Sequence, residues 1–500
     1  MKIIIFTLFL FMHIELYAQK NSFQDSHELL IINGGGSPSE NYESFEKDIL
    51  SLANFFDKRL SIVILNAGGV DTEVKKFESS ELLQRDAVGK LESFPSTLKK
   101  NALVAIKYNV HKVFKAAKEK KTKYLTVYWR DHGSPQGFRL WRDRISYKEL
   151  QTLNGSFPQD TLIRSIHDHC FSGRGLVDAT RKIPSKIEEL SNFLEQYYFK
   201  NRCGFASSAP EEISYTGEIS MENFLKTRNK TSNFSLSDIK ENTNTKHHTP
   251  FLTSDLFMDD VMQVVCDNQE FFNVEYSIKE INNDYAQLEC NNHPNDLRNA
   301  IKNYCNNNLL EANKKLIEKE KRIMMVTDDW EGLKHKIENN FMKKKFTDQW
   351  QTFQTALSQL EKSYASMLLL KEKISESEIK ELISKVEQAR LEYDKSFQLV
   401  EHTNEYDIFF QKSQVELLDQ YSRYRDWVKE EKVELSSPIA MSYYLYSEIY
   451  HSIQMERVLM SKKIEKTKQE LMDQLLKRSD LKKEKELYEA IKRCEESPIG

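Results

Sequence analysis

Two short stretches hold side chains that together can attack a carbonyl carbon. Arg130-Asp131-His132-Gly133-Ser134 sets an imidazole beside a glycine, and Asp168-His169-Cys170-Phe171-Ser172-Gly173 sets a thiol before a small Ser-Gly pair. Thiol catalysis needs a base that removes or accommodates the proton, after which the thiolate is the nucleophile. Gly133 and the Ser172-Gly173 pair let a substrate backbone come close and leave backbone N–H groups available to hold an oxyanion. A His-Gly pair alone is a weak signal, and so is Cys-x-Ser-Gly. Their weight comes from position, because each directly follows a β-strand candidate.

The elements that must position them form an alternating series. Strands are predicted at His27–Asn33 and at residues 61–65, 123–129, 161–166 and 202–207, with helices over residues 42–58, 98–118 and 185–199. Strands separated by helices imply an α/β fold with a mainly parallel sheet covered on both faces. Functional residues of such sheets collect beyond the carboxyl ends of the strands. His132 follows the third strand and Cys170 the fourth, so both fall on one edge. His167 and His169 are nearer Cys170 in sequence, but neighbours along a strand point to opposite faces, and both are read as packing or surface residues. The histidines and Asp168 lack trustworthy ligand spacing, so neither a metal nor a cofactor is expected. Cys203, within the fifth strand, reads as a core residue.

At this point the residues resemble a known group, the caspase-like cysteine peptidases that include legumains, metacaspases and caspases. Val127 through Ser134 resembles the legumain histidine motif, and Asp168-His169-Cys170-Phe171-Ser172-Gly173 resembles the metacaspase nucleophile motif. Ala206-Ser207-Ser208-Ala209-Pro210-Glu211-Glu212-Ile213-Ser214-Tyr215 is again similar to legumains, and Phe251-Leu252-Thr253-Ser254-Asp255-Leu256 resembles the opening of the last helix of that fold. The likeness covers residues 27–266 and is closest to legumain-type peptidases. It implies a caspase-haemoglobinase-like sheet, a His132/Cys170 dyad, and an oxyanion hole from the backbone amides of Gly133 and Cys170. It also implies substrate contacts from Asp168, Ser207, Ser208 and the region of Glu43. An arginine that this group places after the first strand has no counterpart in Ser39-Glu40-Asn41-Tyr42-Glu43-Ser44. An acidic pocket without it would favour a basic residue before the cut bond. Against that stands a simpler reading, in which Asp168 orients local hydrogen bonds and Glu43 is a helix N-terminal acid. Asparaginyl specificity is the other alternative.

Bulk properties set the surroundings. The 500 residues carry 72 Lys and Arg against 76 Asp and Glu, with no basic excess to neutralise phosphates, so the expected partner is a protein or peptide substrate and not nucleic acid. Residues 1–18 read as a signal peptide, with an uncleaved anchor as the alternative. The protein is therefore expected in the periplasm or secreted, without a stable membrane span. Six cysteines are too sparse for a disulfide scaffold; Cys290 with Cys305 is one candidate pair, and Cys266 is another partner.

Composition divides the chain. Thirteen of the 15 glycines precede Glu218, and the later part of the chain reads increasingly as helix. A peptidase unit is expected over residues 19–266, a connection over 267–308 and a helical bundle or coiled coil over 309–500. Phe353, Leu357, Leu360, Tyr364 and Met367 form one apolar seam, and Val386, Ala389, Tyr393, Phe397 and Val400 another. Breaks near Thr403-Asn404 and Ser436-Ser437-Pro438 predict antiparallel folding back. Residues 226–248 read as an exposed mobile loop in which Lys226, Arg228 and Lys230 are either self-cleavage sites or ordinary polar residues. Two functions stay open: an endopeptidase with a helical region docked on it or binding partners, and a caspase-like interaction scaffold.

Overall fold

The computed structural model describes residues 27–36, 41–57, 59–69, 73–76, 92–95, 102–141, 143–178, 180–210, 220–228, 233–243, 249–269, 294–369, 374–400 and 403–499. The expected signal peptide and Cys290 lie outside them. Among the described residues, no helix is long and apolar enough to cross a membrane.

The chain folds as α/β with a mainly parallel six-stranded sheet. Its strands are β1 (His27–Asn33), β2 (Ser61–Asn66), β3 (Tyr124–Arg130), β4 (Leu162–Asp168), β5 (Arg202–Ala206) and β6 (Phe251–Leu252), in the order β6-β5-β4-β3-β1-β2. All neighbours are parallel except β5 and β6. Alternation along β1 assigns its side chains to two cores. Leu29 and Ile31 join Ile49, Leu52 and Phe56 of helix α1 (Glu43–Phe56). Leu30 and Ile32 join Val110, Val113 and Phe114 of α2 (Lys107–Glu119) and Leu150 of α3 (Tyr147–Gly155). Each fully buried aliphatic chain contributes about 1.5–3 kcal/mol, which is why a two-sided strand tolerates so few polar residues.

The helix expected over residues 98–118 begins only at Lys107. Residues 102–106 run extended, with Leu103 N–H donating to Ile64 O (3.0 Å) and Asn66 N–H to Leu103 O (2.9 Å). The apolar run Ala102-Leu103-Val104-Ala105-Ile106 fits either state, and the unpaired edge of β2 selects extended backbone. The segment read as an exposed loop over 226–248 also needs correction. After α4 (Leu190–Tyr197) and α5 (Met221–Lys226), α6 (Leu236–Asn242) forms within it, started by a capping box between Ser235 and Asp238. Its Leu236 and Ile239 are buried beside Phe234. Helix α7 (Thr253–Asp267) follows β6.

The helical region runs from α8 (Pro294–Cys305) through α9 (Asn308–Lys345), α10 (Thr347–Leu369), α11 (Glu376–Gln398), α12 (Asn404–Leu417), α13 (Ser422–Glu430), α14 (Pro438–Tyr443) and α15 (His451–Leu475) to α16 (Lys482–Glu496). Thr403 and Ser437 cap the helices after the two expected breaks. Helices α10 and α11 form a hairpin whose seam brings Phe353 within 5.4 Å of Tyr393. This hairpin joins Ala67, Ile106 and Trp141 of the α/β unit in one apolar cluster through Leu360, Ile379, Ile383 and Val386.

Helix α16 packs on the sheet as well as against α15, so the expected division at residue 309 is incomplete. Cys494 is disulfide-bonded to Cys203 of β5, Ile499 bridges Phe234, and Arg164 of β4 donates to Ser497 Oγ (2.6 Å). The last helix is therefore part of the sheet's cover. Cys203 is a buried strand residue, as expected, but also half of a covalent link; the second link joins Cys266 to Cys305.

Candidate active site

Strands β3 and β4 are paired so that Arg130 stands opposite Asp168. His132 and Cys170 lie two residues beyond these two strand ends. Strand pairing thus brings the segments that carry the two expected reactive residues to the same carboxyl edge. The chains also touch there. A methyl group at Gly133 would overlap the Cys170 carbonyl and lie 2.7 Å from His169 Nδ1, so only glycine allows this approach. Gly133 and Ser134 pair with Phe138 and Gly137 in a small hairpin, and Arg139 N–H donates to the His132 carbonyl (3.0 Å). The His132 backbone is held on that side.

His132 and Cys170 are both half-buried. The imidazole sits edge-on to Tyr42 (5.3 Å between centroids, 76° between planes) and Phe45 (5.4 Å, 74°). These rings come from the start of α1, which is anchored by polar side chains at the strand ends. Asn33 Nδ2 donates to Asn66 Oδ1 (2.7 Å) and Asn41 Oδ1 (3.2 Å), and Asn66 Nδ2 to Glu46 Oε1 (3.4 Å). Among the described residues, Cys170 is the cysteine that lies outside both disulfides. Next to it, buried Phe171 adopts φ 58° and ψ 24°, a left-handed conformation that is strained for an aromatic residue.

The turn is secured on its far side by three buried hydroxyls. Ser172 Oγ accepts from Ser208 N–H (2.8 Å), Ser172 N–H donates to Ser208 Oγ (3.3 Å), and Gly173 N–H to Ser208 O (2.9 Å). Ser207 Oγ reaches His169 O (3.4 Å). Ser207 and Ser208 are fully buried, so they correct the expectation of substrate contacts: they tie β5 to the Cys170 turn. Glu43 opens α1 and pairs with Lys47 one turn on (3.2 Å), as an N-terminal helix acid.

Asp168 is also placed differently from the expected specificity pocket. Its carboxylate is 2 % exposed, accepts from Tyr128 Oη (3.1 Å) and is ion-paired with Arg130 Nη1 (3.3 Å). Arg130 Nε donates to Asp48 Oδ2 (2.9 Å), whose other oxygen accepts from Ser220 Oγ and Glu222 N–H. Burial pushes the Asp168 carboxyl above the usual carboxylate range, against the pull of Arg130. For Arg130 burial would lower the pKa, but Asp168 and Asp48 more than offset it and the guanidinium stays charged. The expected pocket without an arginine is contradicted: Arg130 arrives from β3 and occupies the acid. Sequence reasoning had Arg130 inside its motif and missed its role, because the partner Asp48 sits 82 residues away on α1.

His167 and His169 are both buried, so they are packing residues and not surface ones. His167 stacks on Trp129 (6.1 Å, 3°), and His169 faces Phe138 and Tyr147.

The helical region reaches this end of the molecule. One apolar cluster takes in Val127, Trp129 and Phe171, with Cys170 against it, and continues through Trp330, Leu333, Phe410 and Trp427. Arg174, which follows the Cys170 turn, donates to Pro135 O (2.8 Å) and Pro210 O (2.7 Å). Burial raises the pKa of the Asp328 carboxyl of α9, and Arg174 is among the cations that pull it down. The chain matches no protein-family model and no curated protein.

Proposed function

We propose that the protein is a cysteine endopeptidase of the caspase-haemoglobinase type, with Cys170 as nucleophile and His132 as general base. The observation that supports this reading is the strand register that sets Arg130 opposite Asp168, with His132 and Cys170 each two residues beyond those paired strand ends. In the reaction His132 takes the thiol proton, the thiolate adds to the scissile carbonyl, and the backbone amides of Gly133 and Cys170 receive the oxyanion. His132 then protonates the leaving amine, and water releases the acyl group. Two disulfides, Cys203–Cys494 and Cys266–Cys305, support an oxidising compartment such as the periplasm or the exterior. With Arg130 on Asp168, the proposal carries no preference for a basic P1 residue.

A peptidyl acyloxymethyl ketone probe tests the reading. It should label the wild type and neither Cys170→Ala nor His132→Ala, and peptides differing only at P1 should be cleaved by the same Cys170-dependent activity. Equal labelling of wild type and Cys170→Ala would sink the dyad and leave an interaction scaffold.

A further inference from the structure

Beneath Cys170 lie two histidines that the dyad does not use. His169 is 1 % exposed and His167 is 0 % exposed. His169 Nδ1 is 2.8 Å from the Cys170 carbonyl oxygen, and its Nε2 is 3.3 Å from His167 Nδ1. A carbonyl oxygen only accepts, so the proton belongs on His169 Nδ1. Burial keeps both rings neutral, holding His169 down to about 4 and His167 well below the usual histidine range. A neutral imidazole has one N–H, so His169 Nε2 is an acceptor and His167 Nδ1 must be its donor. The two rings therefore form a directed chain ending on the nucleophile's own carbonyl.

That carbonyl belongs to the peptide unit leading into left-handed Phe171. Downstream the turn is held by Ser172 and Ser208. Upstream, His169 Nδ1 lies 2.8 Å and Tyr147 Oη 3.5 Å from the Cys170 carbonyl oxygen, the latter closer to Ser134 O at 3.1 Å. We propose that His169 is a positioning residue that pins the Cys170–Phe171 peptide unit in its strained orientation, and that His167 fixes the tautomer that lets it do so. The proposal rests on the peptidase reading of Cys170. The charged and titratable groups around His169 are Arg130, Tyr147, His167 and Cys170 itself.

Side-chain shape supplies the test. The amide nitrogen of Asn occupies the place of histidine Nδ1, whereas that of Gln approaches Nε2. His169→Asn should keep kcat within about threefold, while His169→Phe should lower it about 10- to 100-fold with KM within twofold. His167→Asn should be tolerated, and His167→Gln should follow His169→Phe. Alkylation of Cys170 by iodoacetamide, measured across pH on the same variants, reads the thiol without any peptide. If the wild type cleaves peptides and His169→Phe matches it in kcat and alkylation, the role of His169 is overturned. If the wild type cleaves nothing while His169→Phe changes alkylation threefold or more, the peptidase reading falls and the positioning role stands. Should His169→Phe fail to fold, an Asn variant as slow as His167→Gln would also overturn the proposal.

Discussion

Arg130 meets Asp168 twice: the two residues are partners in the register of adjacent parallel strands, and the guanidinium also closes on the carboxylate across that pairing at 3.3 Å. One residue thus marks where the strands are aligned and pairs with the acid two positions before Cys170. Its second carboxylate, Asp48, ties α1 to the same point.

Removing the cation should therefore be costly. Arg130→Met leaves Asp48 and Asp168 buried and facing each other, and breaking such a pair costs about 3–5 kcal/mol. Urea denaturation should show a loss of that size. A loss below about 1 kcal/mol would mean the ion pair is not buried as described.

Gly133→Ala should be a kinetic lesion at the site. The added methyl would overlap the Cys170 carbonyl, so the two strand exits must separate. A displacement of this kind is expected to lower kcat/KM on a peptide substrate about a hundredfold. Wild-type turnover in Gly133→Ala would contradict the close approach of these two backbones.

The two disulfides should differ in their contribution. Cys203–Cys494 closes 291 residues and Cys266–Cys305 closes 39. On a chain-entropy account the longer loop gives about 5–6 kcal/mol and the shorter about 4 kcal/mol, both upper values. Cys203→Ser with Cys494→Ser should lower Tm more than Cys266→Ser with Cys305→Ser. The reverse order would show that the α16 attachment is stable without its covalent tie.

Glu495 of α16 should make stability depend on pH. It is fully buried, accepts from Ser254 N–H (2.8 Å) and lies 2.7 Å from Ser254 Oγ, yet desolvation pushes its pKa up to about 8. The folded chain then holds a proton that the unfolded chain releases above about pH 4.3. This stabilising term is fully present below that pH and is lost as pH rises through about 8, with a slope approaching about 1.4 kcal/mol per unit. Glu495→Gln should flatten the fall in stability between pH 5 and 8. An unchanged slope in thermal melts would assign the dependence to another group.

Much of the sheet edge that carries the candidate site was legible because it rests on local patterns. The apolar runs of β1, β3 and β4 and the glycine beside His132 report strand ends directly, and the pairing register does the rest. What escaped depends on partners far along the chain. Nothing local announces that Cys203 meets Cys494, that Asp48 meets Arg130, or that hydroxyls at Ser207 and Ser208 turn inward to Ser172. Helix α6 was hidden for a different reason. Its Ser235-Leu236-Ser237-Asp238 start is a readable capping box, but the Lys- and Asn-rich flanks outweighed it. Ala102 to Ile106 shows the limit of an apolar run, whose state is chosen by an open strand edge.

The attachment of α16 to β5 also sets an order of events during biogenesis. Strand β5 receives its covalent partner from residue 494, and Arg164 of the neighbouring β4 donates a hydrogen bond to Ser497 Oγ. A nascent chain that has exposed all of β1 to β6, ending at Leu252, still lacks this cover until residue 494 has emerged, 242 residues later. An unfinished polypeptide would therefore lack the finished cover of its sheet, and completion of the scaffold would follow the timetable of synthesis itself.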